Sequence, residues 1–261
     1  MRIFWQSFVD PRQNKPYLER LEAYLNDISD PTTEVQVHGT TPPDRDFGRL
    51  AEFRCAVLAV NNAIDAEKAG YDAFVMGHFQ DPGLYEARSA LSIPVIGAGE
   101  STLHWAAQLG RRLALVTIDP VFEVWHYEQA DLYGLSHRIS HVAGLGAVPE
   151  DFAQAFEGDE SAYQRLRADF LREAEPLVAD GADVIIPAGV LPGLLLTKEK
   201  GMTVGHAPIV SCASVPLLCA EVAVKLHQLN GLEPSRGPSF RKAPERALAD
   251  FQALVREGRQ R

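Results

Sequence analysis

The stretch AFVMGHFQDPGL, residues 73–84, sets a histidine just past the end of an apolar run. An imidazole has an ordinary pKa near 6.5 and can take or give a proton at neutral pH, so His78 is a candidate acid/base. The plainer alternative is a polar residue that happens to end a strand. Asp81 is close enough in the chain to orient the ring. A second reactive type occurs in SCAS, residues 211–214, just after the apolar run 208–210. Cys212 there could become a thiolate near a helix N-terminus. A small buried packing residue is its plainer reading.

Hydroxyls suggest binding groups. Ser101 and Thr102 follow GAGE at an expected helix start. Free backbone N–H groups at such a start attract a carboxylate or ureide oxygen, although these residue types also serve as simple caps. Thr117 ends the run RRLALVT, Ser211 and Ser214 flank Cys212, and Ser7 follows the first apolar run. His104 fits helix packing, and His206 precedes its strand, the wrong end for a cleft. His126, His137 and His141 have no metal-ligand spacing. GAGEST lacks the third glycine of a dinucleotide loop. No metal and no cofactor are expected.

Such groups need a scaffold that brings distant segments together. Apolar runs of strand length fall at 2–5, 34–38, 73–76, 94–96, 113–117, 184–186 and 208–210. Helical stretches alternate with them at 16–26, 46–69, 84–90, 102–109, 122–132, 160–179, 215–229 and 244–257. Alternation of this kind implies βαβ units and mostly parallel sheets, with ligands bound beyond the strand ends. Residues 232–244, rich in Gly, Pro and Ser, read as a surface loop.

The chain also repeats itself. GYDAFVMGHFQDPGL, residues 70–84, leads to IPVIGAGES, and GADVIIPAGVLPGL, residues 181–194, leads to APIVSCAS. Each copy is a Gly-x-Asp, an apolar strand, a loop with Pro-Gly-Leu, a helix and a Pro-led second strand. Two related halves would present their strand exits to one shared cleft. His78 lies as far beyond Asp72 as Gly189 lies beyond Asp183, so one half offers an imidazole where the other offers no side chain.

GHFQDPGLYEAR, IPVIGAGESTLHWAAQLGRRLALVT and the second strand-loop with PGL together resemble the aspartate/glutamate racemase superfamily, most closely its hydantoin-racemase-like branch. The resemblance spans most of 71–225. It implies two pseudo-symmetric Rossmann-like α/β subdomains, each with a mostly parallel four- or five-stranded sheet, and an active site between them. The first would be residues 1–98 completed by 208–261, the second 99–207. Such enzymes use one cysteine from each half, on opposite faces of a carbon acid, without a cofactor. The first position corresponds here to His78. The second corresponds to Gly189, or to Ala188 with one residue of slack. Thr117 is a strand-end hydroxyl of the kind the resemblance brings to the substrate; Ser7, where the family usually has an Asn-containing turn, is expected there too, with Phe79, Val190 and Ser211.

Bulk properties narrow the rest. The net charge of -10 over 261 residues argues against nucleic acid or an anionic membrane as the main partner. No run approaches the roughly 18 apolar residues of a membrane span. Residues 1–5 read as a strand, not a signal peptide. Three cysteines, an odd number without zinc spacing, suggest a reducing cytoplasmic location. A homo-oligomer is expected.

The expectation is a cofactor-independent enzyme on a small carboxylate, hydantoin or cyclic imide. It would use one-sided acid/base chemistry of isomerase, lyase, decarboxylase or hydrolase type. Two alternatives stand beside it: a racemase pairing His78 with Cys212, and a binding protein with a degraded site.

Overall fold

The computed structural model describes residues 1–43 and 47–260, the side chains of 259 and 260 excepted. The chain begins β1 (Arg2–Gln6), α1 (Lys15–Ile28), β2 (Glu34–His38), α2 (Arg49–Lys68), β3 (Ala73–Met76), α3 (Leu84–Ala90) and β4 (Val95–Gly97). It continues α4 (Ala98–Ala106), β5 (Leu113–Thr117), α5 (Phe122–Leu132), β6 (Ile139–Gly144), α6 (Ala153–Phe156), α7 (Glu160–Ala179), β7 (Val184–Ala188) and α8 (Val190–Leu196). A short hairpin of β8 (Thr203–Val204) and β9 (Ala207–Pro208) precedes α9 (Ser214–Asn230) and α10 (Glu245–Gln260).

Two parallel sheets form among the described residues, ordered β2-β1-β3-β4 and β6-β5-β7. β3 is apolar throughout and β5 is apolar up to Thr117, and both are buried at every position, as strands covered on both faces are. One core cluster runs through both sheets, from Ile3, Trp5 and Val75 to Leu113, Leu115 and Ile186. The C-terminal helices return to the first sheet: α9 packs on β3 and β4, and α10 on α2. No helix among the described residues is long and apolar enough to cross a membrane.

The repeat has a physical counterpart. Gly70 and Gly181 take left-handed φ values of 79° and 94°, which turn the chain into β3 and β7. Asp72 N–H then donates to Arg2 O at 2.7 Å, and Asp183 N–H to Arg112 O at 2.8 Å. Each carboxylate answers: Asp72 accepts from Arg2 N–H at 2.6 Å, Asp183 from Arg112 N–H at 3.0 Å. Each Gly-x-Asp thus clamps its strand to the start of the central strand beside it.

The structure departs from the sequence expectations in several places. The second sheet has three strands, not four or five. The run 208–210 contributes a single parallel bridge, Ile209 to Ile185. Its first residue, Pro208, has no N–H for a ladder and pairs instead in the hairpin with Thr203. β6 was not expected, because ISHVAG mixes polar and apolar residues on a half-exposed edge. α4 begins at Ala98, not at 102, so GAGES is the helix's first turn. The helix that the repeat places after the second Pro-Gly-Leu, α8, begins already at Val190 and takes that triplet into its interior. The expected start of α2 at Asp46 lies outside the described residues.

Candidate active site

The C-terminal exits of four strands open onto one cavity of ≈ 80 Å³. Ser7 and Phe8 come from the exit of β1, and Gly77 to Gln80 from that of β3. Ile118 comes from β5, and Ala188 to Pro192 from β7. The lining is mostly apolar and aromatic. Among the described residues that line it there is no lysine or arginine. Six of the sequence candidates meet here: Ser7, His78, Phe79, Ala188, Gly189 and Val190.

His78 is placed by contacts on every side. A Cβ at Gly77 would overlap the Trp5 indole, so only glycine lets the chain leave β3 along that ring. The Phe8 ring meets the imidazole edge-on, with centroids 4.7 Å apart at 88°. Gln80 N–H points at His78 Nδ1 from 3.4 Å. Glu52 of α2 lies on the other side, its Oε2 3.6 Å from His78 Nε2. Sequence reasoning missed Glu52, since nothing near it marks a site. The Ser7 turn is held by a buried network in which Gln6 Nε2 and Thr40 Oγ1 both donate to Ser7 O at 2.8 Å.

Asp81, expected beside the imidazole, is committed elsewhere. It sits in a left-handed turn at φ 53° and accepts from Gly99 N–H at 3.0 Å, Glu100 N–H at 2.7 Å and Tyr133 O–H at 2.7 Å. Burial pushes its carboxyl up to about 7, against the pull of those hydrogen bonds. The acceptor at the start of α4 is therefore the protein's own carboxyl group. Ser101 and Thr102, expected to offer that helix start to a substrate, lie inside the helix. Their hydroxyls donate back to Gly97 O and Ala98 O, both at 2.6 Å.

A second brace comes from α5. Gln129 Nε2 donates to Phe79 O at 2.6 Å, which fixes the orientation of its amide. Its Oε1 must then accept from His126 Nδ1–H at 3.2 Å, and His126 Nε2 accepts from Thr117 O–H at 3.1 Å. This tautomer follows from the hydrogen-bond pattern. Burial holds the His126 imidazole down to about 4, so it is neutral at pH 7. Thr117 is thus fully buried in a structural chain and is not among the cavity's lining residues.

Cys212 is fully buried behind the β7 exit and is also absent from the lining. Its Sγ donates toward Gly189 O at 2.9 Å and Pro187 O at 3.2 Å. Burial pushes its thiol up to about 12, so it stays protonated. A Cβ on Gly193 would stand 2.6 Å from that sulfur, so α8 packs directly on it. Ser211, whose Oγ donates to Gly193 O at 3.3 Å, faces a different cavity behind α8. Among the described residues no group of three or more His, Cys, Asp or Glu side chains is placed to hold a metal ion.

Two parallel α/β sheets that aim their strand exits at one cleft define the architecture of a two-domain racemase-fold enzyme. The chain belongs to the Asp/Glu/hydantoin racemase family, whose profile matches residues 8–204. It is 31% identical over 120 residues to a hydantoin racemase from Pseudomonas sp. (strain NS671). That match spans 46% of the relative, about half its length. An allantoin racemase from Pseudomonas fluorescens superposes with a TM-score of 0.78 at 21% identity, covering 94% of this chain and 98% of that one. An allantoin racemase from Klebsiella pneumoniae gives 0.75 at 22% identity, with 94% of each chain covered. At such identities the likeness carries the fold.

Proposed function

We propose that the chain is a cofactor-independent enzyme that moves a proton on one face of a small carbon acid, with His78 as the acid/base. One observation carries this reading: His78 and Gly189, equivalent exits of the two halves, line one apolar cavity. His78 takes the proton from the substrate carbon while the electron pair moves onto the neighbouring carbonyl oxygen. Return of the proton from the same ring completes exchange without inversion.

The lining favours a neutral ring, a hydantoin or cyclic imide, over a free carboxylate. A buried carboxylate needs a cationic partner, and none is among the described lining residues. The names of the similar proteins, racemases of hydantoin and of allantoin, also point to cyclic ureides. Cys212 serves poorly as a second acid/base, because its thiol is buried, protonated and directed at carbonyls.

The test is deuterium uptake at C5 of enantiopure 5-benzylhydantoin and allantoin in heavy water. Loss of the C5–H signal with retained configuration is expected. His78→Ala should slow it by about 100-fold or more, and His78→Asn nearly as much with binding preserved. Undiminished exchange in both variants would overturn the assignment.

A further inference from the structure

We propose that the Tyr17 hydroxyl is the oxyanion donor of the cavity, the group that meets the carbonyl oxygen of a cyclic ureide as negative charge develops there. This role rests on the proposed reaction of a cyclic ureide in the cavity. Four of the described lining residues carry polar side chains: Ser7, Tyr17, His78 and Gln80. A donor counts for most where water is excluded and its position is fixed beforehand. Gln80 is partly exposed. Ser7 and Tyr17 are only 1% and 4% exposed.

Tyr17 is held in that place by α1. Pro16 stands in the first turn of the helix, where its missing N–H costs little, and Tyr17 follows it. The helix packs on α6, and the Tyr17 and Phe156 rings meet with centroids 5.2 Å apart, tilted by 52°. Burial holds the Tyr17 phenol above its ordinary range, so it stays protonated as a donor and does not serve as a base. The Ser7 side chain hydrogen-bonds to it and offsets part of that rise. A neighbour lowers a phenol's pKa by donating to its oxygen. Ser7 O–H therefore faces Tyr17 Oη, and the phenol's own O–H is left for the cavity. Ser7 is fixed in turn, with its N–H donating to His38 O at 2.7 Å.

The electron balance closes. When the C5–H bond of a hydantoin breaks, its proton goes to the base and its electron pair forms the C5–C4 double bond. The π pair of the carbonyl moves onto the C4 oxygen. That oxygen becomes a far stronger acceptor than the carbonyl was, so the bond from Tyr17 O–H strengthens in the transition state. Tyr17 keeps its proton throughout, and reprotonation at C5 reverses each movement. No lysine or arginine is among the described lining residues, so the neutral phenol takes the part that a cation would have.

The experiment uses two readouts on the full chain. Tyr17→Phe removes the O–H and keeps the ring against Phe156. In the 5-benzylhydantoin exchange assay it should lose about 100-fold or more in kcat, with KM within about threefold. Ser7→Ala removes only the group that orients the phenol and should lose about 3–10-fold. Planar 5-benzylidenehydantoin, trigonal at C5 like the enolate, gives a readout without turnover. Its Kd should weaken about 5–10-fold in Tyr17→Phe and stay within about twofold of wild type in His78→Asn. Melting curves check that each variant is folded. A kcat within about threefold of wild type in Tyr17→Phe, or a larger loss in Ser7→Ala than in Tyr17→Phe, would overturn the assignment. Full exchange in His78→Asn with exchange lost in Tyr17→Phe would instead remove His78 from the reaction and leave the donor in place, which tells the two failures apart.

Discussion

The Tyr133 hydroxyl donates to the Asp81 carboxylate at 2.7 Å, and through this bond α5 holds the loop that carries His78. The same carboxylate accepts the first N–H groups of α4, so three elements converge on one buried acid. Its two oxygens set the geometry of the β3 exit.

Asp81 gives the fold a pH signature. Its carboxyl is pushed up to about 7, so above the ordinary carboxylate range the unfolded chain gives up this proton more readily than the folded one. Stability from this group is full below about pH 4 and is lost as pH rises through about 7. Urea midpoints at pH 5 and pH 8 should fall more steeply for wild type than for Asp81→Asn. The variant should also lose about 1–3 kcal/mol at pH 5, because its amide N–H2 would face N–H donors that a carboxyl oxygen accepts. An equally steep fall in both proteins would refute the buried-acid account.

Cys212→Ser should leave hydantoin exchange within about threefold of wild type. The hydroxyl keeps a donor toward Gly189 O and Pro187 O. Cys212→Val removes that donor and leaves two buried carbonyls without it, at a cost of about 1–3 kcal/mol. In the native protein the thiol should resist iodoacetamide and react only on unfolding, because burial keeps it protonated. Inactivation by Cys212→Ser with the fold intact would make the sulfur a reacting group.

Gly189→Cys asks whether the second wall can be rearmed. Gly189 has φ 164° and ψ 140°, extended backbone open to any residue. A Cβ there comes within 3.2 Å of the Pro192 ring, which must give by a few tenths of an ångström. The new thiol would join His78 in the cavity. Chiral chromatography of 5-benzylhydantoin should show inversion at least ten times above Gly189→Ala, about the effect of one added acid/base or more. No inversion above the alanine control would mean that the two exits do not face one carbon.

The strand pattern and the duplicated halves were legible because buried parallel strands are continuous apolar runs, and Gly-x-Asp is a local signal. His78 and Gly189 followed from counting within the repeat. The start of α4 was not legible. GAGE reads as a loop until a carboxylate far away in the chain caps Gly99 and Glu100. Ser101 and Thr102 were misplaced for the same reason. Glu52 sits in an ordinary-looking helix and gains meaning only when α2 packs beside the β3 exit. β6 was hidden by its mixed composition, which suits a half-exposed edge and no simple alternation.

The paired clamps at Asp72 and Asp183 lie at the opposite ends of their strands from the candidate site. Each half is therefore anchored a full strand length from the cavity that His78 and Gly189 line. Substitution at one exit leaves the other half's anchor untouched. A chain with repeated halves can vary one wall of that cavity at a time, and a histidine at one exit with a glycine at the other is one state that such variation reaches.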